Sequence, residues 1–466
     1  LKYISTRGDS PPLDFEGVLL SGLASDGGLY LPETWPQFSA NDIRAMAALD
    51  YPELTARIMA PFMGNSFSEA GLLMLTREAY ASFDHAAIAP LKQLDDQLWL
   101  MELFHGPTLA FKDMAMQVVG RLFEAVLHRR GEHTVIIGAT SGDTGSAAIE
   151  AVRGSDAVEI FMLHPDGRVS EAQRRQMTTV LASNVHNIAI SGTFDDCQDL
   201  VKAMFNDKAF RSRHPLSAVN SINWARIAAQ IVYYFRAALA FGAPDRQVTF
   251  AVPSGNFGNV FAGYAAMRMG LPVAGFSIGT NRNDILSRFF ESGEMAIDTV
   301  YPTLSPSMDI QISSNFERLL FELYKGDGAT VTQLIASQRQ SGSFSVDADR
   351  LRDARQKFSG FRCSDEDTLA EIAATHQATG ELLDPHSAVG VAAGRALAGD
   401  ALVVALATAH PAKFPDAVAK ATGIVPALPP HLADLYDRPE HCERLPNNLA
   451  AIEAFIDAHT LPQVAR

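Results

Sequence analysis

From residue 133 to about residue 290, short runs of β-branched and other apolar residues alternate with helix-length amphipathic segments. This alternation restricts the chain to parallel βα units, because a helix that returns between two strands lets both run in the same direction. Strands are predicted over His133–Ala139, Val158–His164, Val185–Ile190, Leu216–Asn220, Gln247–Val252 and Val273–Ile278, with Ala401–Ala407 as a late one. The helices between them are predicted to begin near Asp143, Ser170, Phe194, Ile222, Gly258 and Asp284, several with Ser, Thr, Asp or Asn where an N-cap belongs. An open α/β architecture follows, and in such folds ligands sit beyond the carboxyl ends of the strands.

Outside this stretch the pattern changes. Residues 1–90 are rich in Pro, Gly and Leu, with helical segments around Asn41–Asp50, Glu53–Phe62 and Glu69–Phe83. Residues 300–380 read as a mostly helical, polar covering segment, and the chain returns to the core from Asp384. The tail from Pro429 reads as helical and carries no assigned chemistry.

Composition removes several classes of function. The chain has 466 residues, of which 47% are apolar and 20% charged, enough for two or three domains with a large core. Its formal charge of −15, without a basic block, argues against a nucleic-acid partner. A small anionic ligand remains compatible, since a pocket can be positive locally, and Arg174, Arg175 and Arg226 are candidates to make it so. Cys197, Cys363 and Cys442 are too few and too scattered for a disulfide framework or a zinc site. No run reaches the roughly 18 apolar residues of a membrane span. A cytoplasmic protein without a membrane partner is expected, either monomer or homodimer.

Residues 105–113, His-Gly-Pro-Thr-Leu-Ala-Phe-Lys-Asp, set Lys112 between a Gly-Pro turn and the amphipathic stretch Met114–His128. An amine forms an imine with an aldehyde only when neutral, and screening by Phe104, Leu109 and Phe111 would lower its pKa. Lys112 is therefore the candidate Schiff-base lysine, although a lysine opening a helix is more often solvated.

Two glycine-rich loops each follow a strand and open a helix: Ala139–Ser146, which contains Ser141, Gly142, Asp143 and Thr144, and Pro253–Asn259. Either could close backbone N–H groups around a phosphate, and either could be an ordinary βα turn. Neither has the spacing of a P-loop or of a dinucleotide fingerprint. The cluster Asn220-Ser221-Ile222-Asn223-Trp224-Ala225-Arg226 ends a strand with amide and hydroxyl groups and sets Arg226 in the next helical turn, where a guanidinium suits a phosphate monoester or is simply exposed. Thr408 ends an apolar strand, as a cap or as a hydrogen-bond partner for a pyridine nitrogen.

In this order along nearly the whole chain, these segments resemble the threonine synthases of the longer subgroup with an N-terminal extension. The resemblance also takes in Tyr3–Gly8, Asp26–Tyr30, Ser170–Thr178 and Thr408–Phe414. It implies an α/β tryptophan-synthase β-like fold, pyridoxal-phosphate fold type II, divided into a mostly helical extension (1–90), a large cofactor-binding domain (91–114 and 211–466) and a small mobile domain (115–210). It implies pyridoxal 5′-phosphate attached to Lys112, its phosphate held by Ser254, Gly255, Asn256, Phe257, Gly258 and Asn259, and its ring nitrogen facing Thr408. Ser141, Gly142, Asp143 and Thr144 would lie by the substrate α-carboxylate and the cofactor's 3′ oxygen, and Asn220, Ser221, Asn223 and Arg226 would bind the substrate phosphate. Asp143 stands where shorter synthases carry asparagine, so a carboxylate near a phenolate needs a proton or a bridge. Asp113 has a sufficient structural role at the helix start, His105 and Thr108 are candidates to orient substrate, and Arg174 and Arg175 are weaker candidates. The implied reaction converts O-phospho-L-homoserine and water to L-threonine and phosphate. A pyridoxal-phosphate-dependent serine/threonine dehydratase, or a non-catalytic phosphate-binding homologue, are the alternative readings.

Overall fold

The computed structural model describes residues 1–217, 221–397 and 401–460. Two sheets organise them. The larger has six strands in the order Phe358–Arg362, Val273–Thr280, Val248–Pro253, Val403–Ala407, Leu98–Glu102 and Leu91–Gln93. All of its pairings are parallel except the last, at the Leu91–Gln93 edge. The smaller has five parallel strands, Glu443–Leu445, Val185–Ile190, Val158–Pro165, Thr134–Ala139 and Leu216–Ser217.

The interior strands Val158–Pro165 and Val248–Pro253 are buried along their full length, which is why they read as unbroken apolar runs rather than as alternating ones. Helix Trp224–Ala240 is buried on nearly every face and packs with helices Lys112–Arg130, Gly258–Arg268 and Tyr51–Met63. One apolar cluster runs from Tyr3 and Phe15 in the N-terminal region through Met114–Leu127 and Ile149 to Trp224 and Phe261, so the two sheets share a core. Helix Lys112–Arg130 lies at the centre of it. Gly120 in that helix meets helix Asp143–Val152 so closely that a Cβ there would fall 2.2 Å from the Ala151 carbonyl oxygen. This contact sets the helix that begins at Asp143 against the helix that begins at Lys112.

Several expectations change. The segment 300–380 is not only a cover, because Phe358–Arg362 adds an edge strand to the large sheet and Ser343–Ser345 pairs with Glu294–Ala296. Strand Leu98–Glu102, an interior member of the large sheet, was not among those predicted. Its partner Val403–Ala407 lies more than 300 residues further along the chain, so no local βα pattern marks the pair. The N-terminal region carries a two-stranded pairing of Tyr3–Ser5 with Tyr30–Pro32 as well as its helices, which span Ala40–Met46, Tyr51–Met63 and Glu69–Tyr80. The tail returns to the smaller sheet, where Glu443–Leu445 forms an edge and helix Leu449–His459 supplies Ile452 and Ile456 to its apolar cluster. Asn220 and the end of its predicted strand lie outside the described residues.

Candidate active site

Lys112 is the first residue of helix Lys112–Arg130, and the loop before it is fixed from two sides. The Asp113 carboxylate accepts from the Thr108 backbone N–H (2.8 Å) and hydroxyl (2.7 Å), while Leu109 takes a left-handed conformation (φ 62°). On the other side, the Phe111 N–H donates to the Thr408 carbonyl (2.8 Å) and the His410 N–H donates to the Leu109 carbonyl (3.0 Å). The lysine loop is thus bonded directly to the loop that carries Thr408. Burial pushes the Asp113 carboxyl up to about 6, against the bonds from Thr108 that pull it down.

The Lys112 amine points toward Asp143, with Nζ 3.4 Å from Oδ2. Burial depresses its pKa, Asp143 opposes that shift, and the charges of Arg226 and Lys413 add to it. Asp143 opens its helix behind Gly142, whose φ of 146° is open to glycine alone and where a Cβ would strike the Gln173 side chain. Four donors surround the carboxylate. Lys413 Nζ lies 2.7 Å and Gln173 Nε2 2.8 Å from Oδ1, while Lys112 Nζ and the Ser307 hydroxyl each lie 3.4 Å from Oδ2. Burial alone would raise this carboxyl, but the two lysine charges and the bonds from Lys413 and Gln173 outweigh it and hold Asp143 well below the usual carboxylate range. Lys413 is the nearest cation to this carboxylate among the described residues.

At the end of strand Val248–Pro253, Ser254 to Gly258 turn tightly into helix Gly258–Arg268. Phe257 occupies the left-handed region (φ 60°) as N-cap and offers the helix no side-chain acceptor, so the first helical N–H groups face the loop uncapped by a side chain. The Ser254 hydroxyl accepts from the Phe257 N–H at 3.2 Å. Asn256 holds the loop to its neighbours: its amide donates to the Ser221 hydroxyl, and its Oδ1 accepts from the Ser314 N–H at 2.8 Å. Asn315 ties the same two loops together by donating to the carbonyls of Ser221 (3.1 Å) and Asn256 (3.2 Å). Asn259 turns inward, where Tyr233 and Tyr234 donate to its Oδ1 at 2.6 and 2.8 Å, while its Nδ2 has no partner among the described residues.

Arg226 is buried, with 3% of its surface exposed, and its Nε and Nη1 have no hydrogen-bond partner among the described residues. Burial lowers its pKa to about 10. A desolvated guanidinium without a carboxylate is costly, and an anionic ligand removes that cost. Asn223, expected beside it, is instead the N-cap of helix Trp224–Ala240, accepting from the Ala225 N–H (2.9 Å) and donating to the Leu19 carbonyl (2.9 Å). Both ends of its amide are used structurally.

Thr408 lies buried just beyond strand Val403–Ala407, and its N–H donates to the Ser387 hydroxyl at 3.0 Å. Arg174 and Arg175 are turned to the tail: they reach Glu440 at 3.1 and 3.6 Å and share Glu171. The His105 ring lies between Glu102 (2.8 Å) and Asp84 (2.9 Å), and although burial opposes it, those carboxylates raise its pKa. Its nitrogens serve the end of the Leu98–Glu102 strand. Lys413, Gln173, Ser307, Asn315 and Ser387 were assigned no role from sequence. Lys413 stands in the same Thr408–Phe414 stretch as Thr408, but nothing in its local pattern distinguishes it from a surface lysine.

A buried amine on a bonded loop, an uncapped helix start and an unpartnered guanidinium fit an aldehyde cofactor bearing a phosphate. Three family models cover most of the chain. Those described as "Threonine synthase N terminus" and "Threonine synthase, C-terminal" match residues 2–80 and 387–456, and "Pyridoxal-phosphate dependent enzyme" matches 85–338. A threonine synthase from Pseudomonas aeruginosa is 56% identical over 462 residues, 98% of each chain. The chain belongs to the threonine synthase family of pyridoxal-phosphate-dependent enzymes. Within that family, the solved structure of a PLP-bound threonine synthase from Brucella melitensis matches with a TM-score of 0.97 and 53% identity, covering 99% of this chain and 100% of that one. The yeast threonine synthase matches at 0.93 and 40% identity, covering 98% of both. The fold is accordingly pyridoxal-phosphate fold type II, with the helical N-terminal region that the threonine synthase N-terminal model matches. No helix among the described residues is long and apolar enough to cross a membrane.

Proposed function

We propose that the chain converts O-phospho-L-homoserine and water into L-threonine and phosphate, with pyridoxal phosphate attached to Lys112. The observation that carries the choice of substrate is Arg226, a buried guanidinium whose Nε and Nη1 have no partner among the described residues, beside a lysine whose pKa it lowers. A serine or threonine dehydratase would hold the same cofactor and a substrate carboxylate, but its hydroxyl leaving group needs no site for a departing phosphate.

Pyridoxal phosphate, when bound, supplies an electron sink for the substrate carbon that bears the amino group. The loop of Ser254, Gly255, Asn256, Phe257, Gly258 and Asn259 would hold its phosphate through N–H groups other than those of Ser254 and Phe257, which donate within the protein, and Thr408 would face its ring nitrogen. A neutral hydroxyl there would not supply the negative charge that keeps such a nitrogen protonated. Burial lowers the pKa of Lys112 and so favours the neutral amine, and Nζ can take protons at the substrate Cα and Cβ and return them at Cγ and Cα. Proton loss at Cβ expels phosphate from Cγ, and Arg226 stabilises the departing charge, with Ser221 and Asn220 beside it in sequence. A proton returned at Cγ makes the methyl group, water then adds at Cβ, and a proton returned at Cα completes threonine. Ser141, Gly142 and Thr144 would bind the α-carboxylate, while Asp143, already paired with Lys413, is held ionised next to Nζ. The unit built on the smaller sheet carries Asp143 and Gln173, and its closure would keep water out until phosphate has left. A cytoplasmic setting belongs to the same proposal, supported by the free thiols of Cys197, Cys363 and Cys442.

Arg226→Ala tests the choice of substrate. Turnover of O-phospho-L-homoserine is expected to fall on the order of 100-fold or more, with the visible absorbance of the lysine-bound cofactor retained. Unchanged kinetics would remove Arg226 from the site.

A further inference from the structure

We propose that Lys413 is a positioning residue, which fixes the ionised Asp143 carboxylate against the Lys112 amine and thereby sets the pH at which the Lys112 nitrogen loses its proton. The proposal rests on Lys112 being the cofactor lysine.

Lys413 ends the short 3-10 turn Pro411–Lys413 that follows Thr408, and none of its side chain is exposed. Its Nζ has two acceptors, Asp143 Oδ1 at 2.7 Å and the Thr108 carbonyl at 2.8 Å. The first belongs to a helix packed on the smaller sheet, and the second to the loop that presents Lys112. One ammonium therefore joins three parts of the site: the Thr408 loop, the lysine loop and the Asp143 helix. Gln176 of helix Glu171–Thr178 donates to the same Thr108 carbonyl at 3.0 Å, so the lysine loop is held from both sheets.

The Asp143 carboxylate is unevenly bonded. Lys413 and Gln173 saturate Oδ1 at 2.7 and 2.8 Å, whereas Oδ2 has only the long contacts to Lys112 and Ser307, both 3.4 Å. The short bonds fix the carboxylate in place, and the long one leaves the Lys112 nitrogen able to move. Asp143 faces Lys413 and Lys112, Lys112 also senses Arg226, and Ser307 is in turn bonded through its N–H to His386 Nε2 at 3.2 Å. Among the described residues, Asp113 also faces Lys413, and Asp384 lies 2.7 Å from His386 Nδ1.

The signs are opposite for the two partners. Lys413 is a cation near Nζ and also neutralises part of the Asp143 charge, so its removal favours a protonated Lys112 nitrogen by both routes. Removal of the Asp143 charge disfavours it. A residue that only filled space would not produce opposed shifts.

The test is the pH dependence of the visible absorbance of the cofactor-loaded enzyme, compared across variants. In Lys413→Met the midpoint is expected to rise by about one pH unit or more. In Asp143→Asn it is expected to fall by a similar amount, and in Lys413→Arg, which keeps the charge, it should stay within a few tenths of a unit of the unsubstituted enzyme. A Lys413→Met midpoint equal to that of the unsubstituted enzyme, or shifts of the same sign in Lys413→Met and Asp143→Asn, overturns the proposal. If Lys413→Met does not fold, Asp143→Asn and Lys413→Arg decide it, because an unmoved midpoint in the former, or a rise of a full unit in the latter, is equally fatal. Lys112→Ala separates the two readings: if that variant keeps the visible band, both the cofactor lysine and the role of Lys413 fall. If it is colourless while the Lys413 and Asp143 midpoints stay together, only the role of Lys413 falls.

Discussion

Single residues here act through what burial does to their charges. Lys112, Asp143, Lys413 and Arg226 are all largely shielded from water, and three of the four are satisfied by one another. Arg226 is the exception, and this imbalance points to an anion. Lys112→Ala is expected to abolish the visible absorbance of bound cofactor and to reduce turnover by on the order of 100-fold to 10,000-fold, read by spectroscopy and steady-state assay on the same preparation. Asp113 gives a pH prediction. Its carboxyl is raised from 3.8 to about 6, so its contribution to stability is fully present below about pH 4 and is lost as the pH rises through 6, a change on the order of 3 kcal/mol. Asp113→Asn should therefore lose less stability than the unsubstituted protein between pH 4 and pH 6, as measured by denaturant unfolding at each pH. Parallel curves would contradict that assignment. Lys112 and Arg226 could be singled out in the sequence because each sits where a motif meets a helix start, and both are buried or nearly so in the fold. Lys413 could not, since its contact is with a carboxylate some 270 residues earlier in the chain, and the capping role of Asn223 was not separable from a ligand role because both use the same amide.

At the scale of elements, the βα alternation from residue 133 to residue 290 was readable, and its strands and helices fall close to the predicted positions. What escaped was pairing between distant segments. Strand Leu98–Glu102 enters the sheet beside a strand near the other end of the chain, and Phe358–Arg362 joins an edge from within a helical stretch. Both are short, and each pairs with a strand far from it in the chain. The contact of Gly120 with Ala151 was invisible for the same reason. It has a testable consequence, because Gly120→Val would put methyl groups where 2.2 Å separates an added Cβ from a carbonyl oxygen. The two helices must then part, and with them Lys112 and Asp143. The expected result is a loss of stability of roughly 1–3 kcal/mol in denaturant unfolding, accompanied by weaker cofactor retention. A variant that unfolds and binds cofactor like the unsubstituted protein would show that the helix spacing does not set the site.

Across the whole molecule, the tail closes the smaller sheet. Ile452 and Ile456 of helix Leu449–His459 are fully buried with Val135, Phe161 and Ile188, and Glu443–Leu445 pairs with Val185–Ile190. The smaller unit is therefore completed by residues far from it in sequence, and Ile456→Ala should cost about 2–5 kcal/mol in its unfolding transition, measured by thermal or denaturant melts. Arg174 and Arg175 hold the stretch before that strand through Glu440, so these arginines serve assembly of the fold. The central claim is that one buried amine and one buried guanidinium together select a phosphorylated amino acid and direct it to a hydroxylated product. Its most direct test is to incubate the purified, cofactor-loaded protein with O-phospho-L-homoserine and quantify the products. Phosphate and L-threonine should appear in equal amounts, both lost in Lys112→Ala. Release of ammonia and an oxo acid in place of threonine, or no release of phosphate, would contradict it.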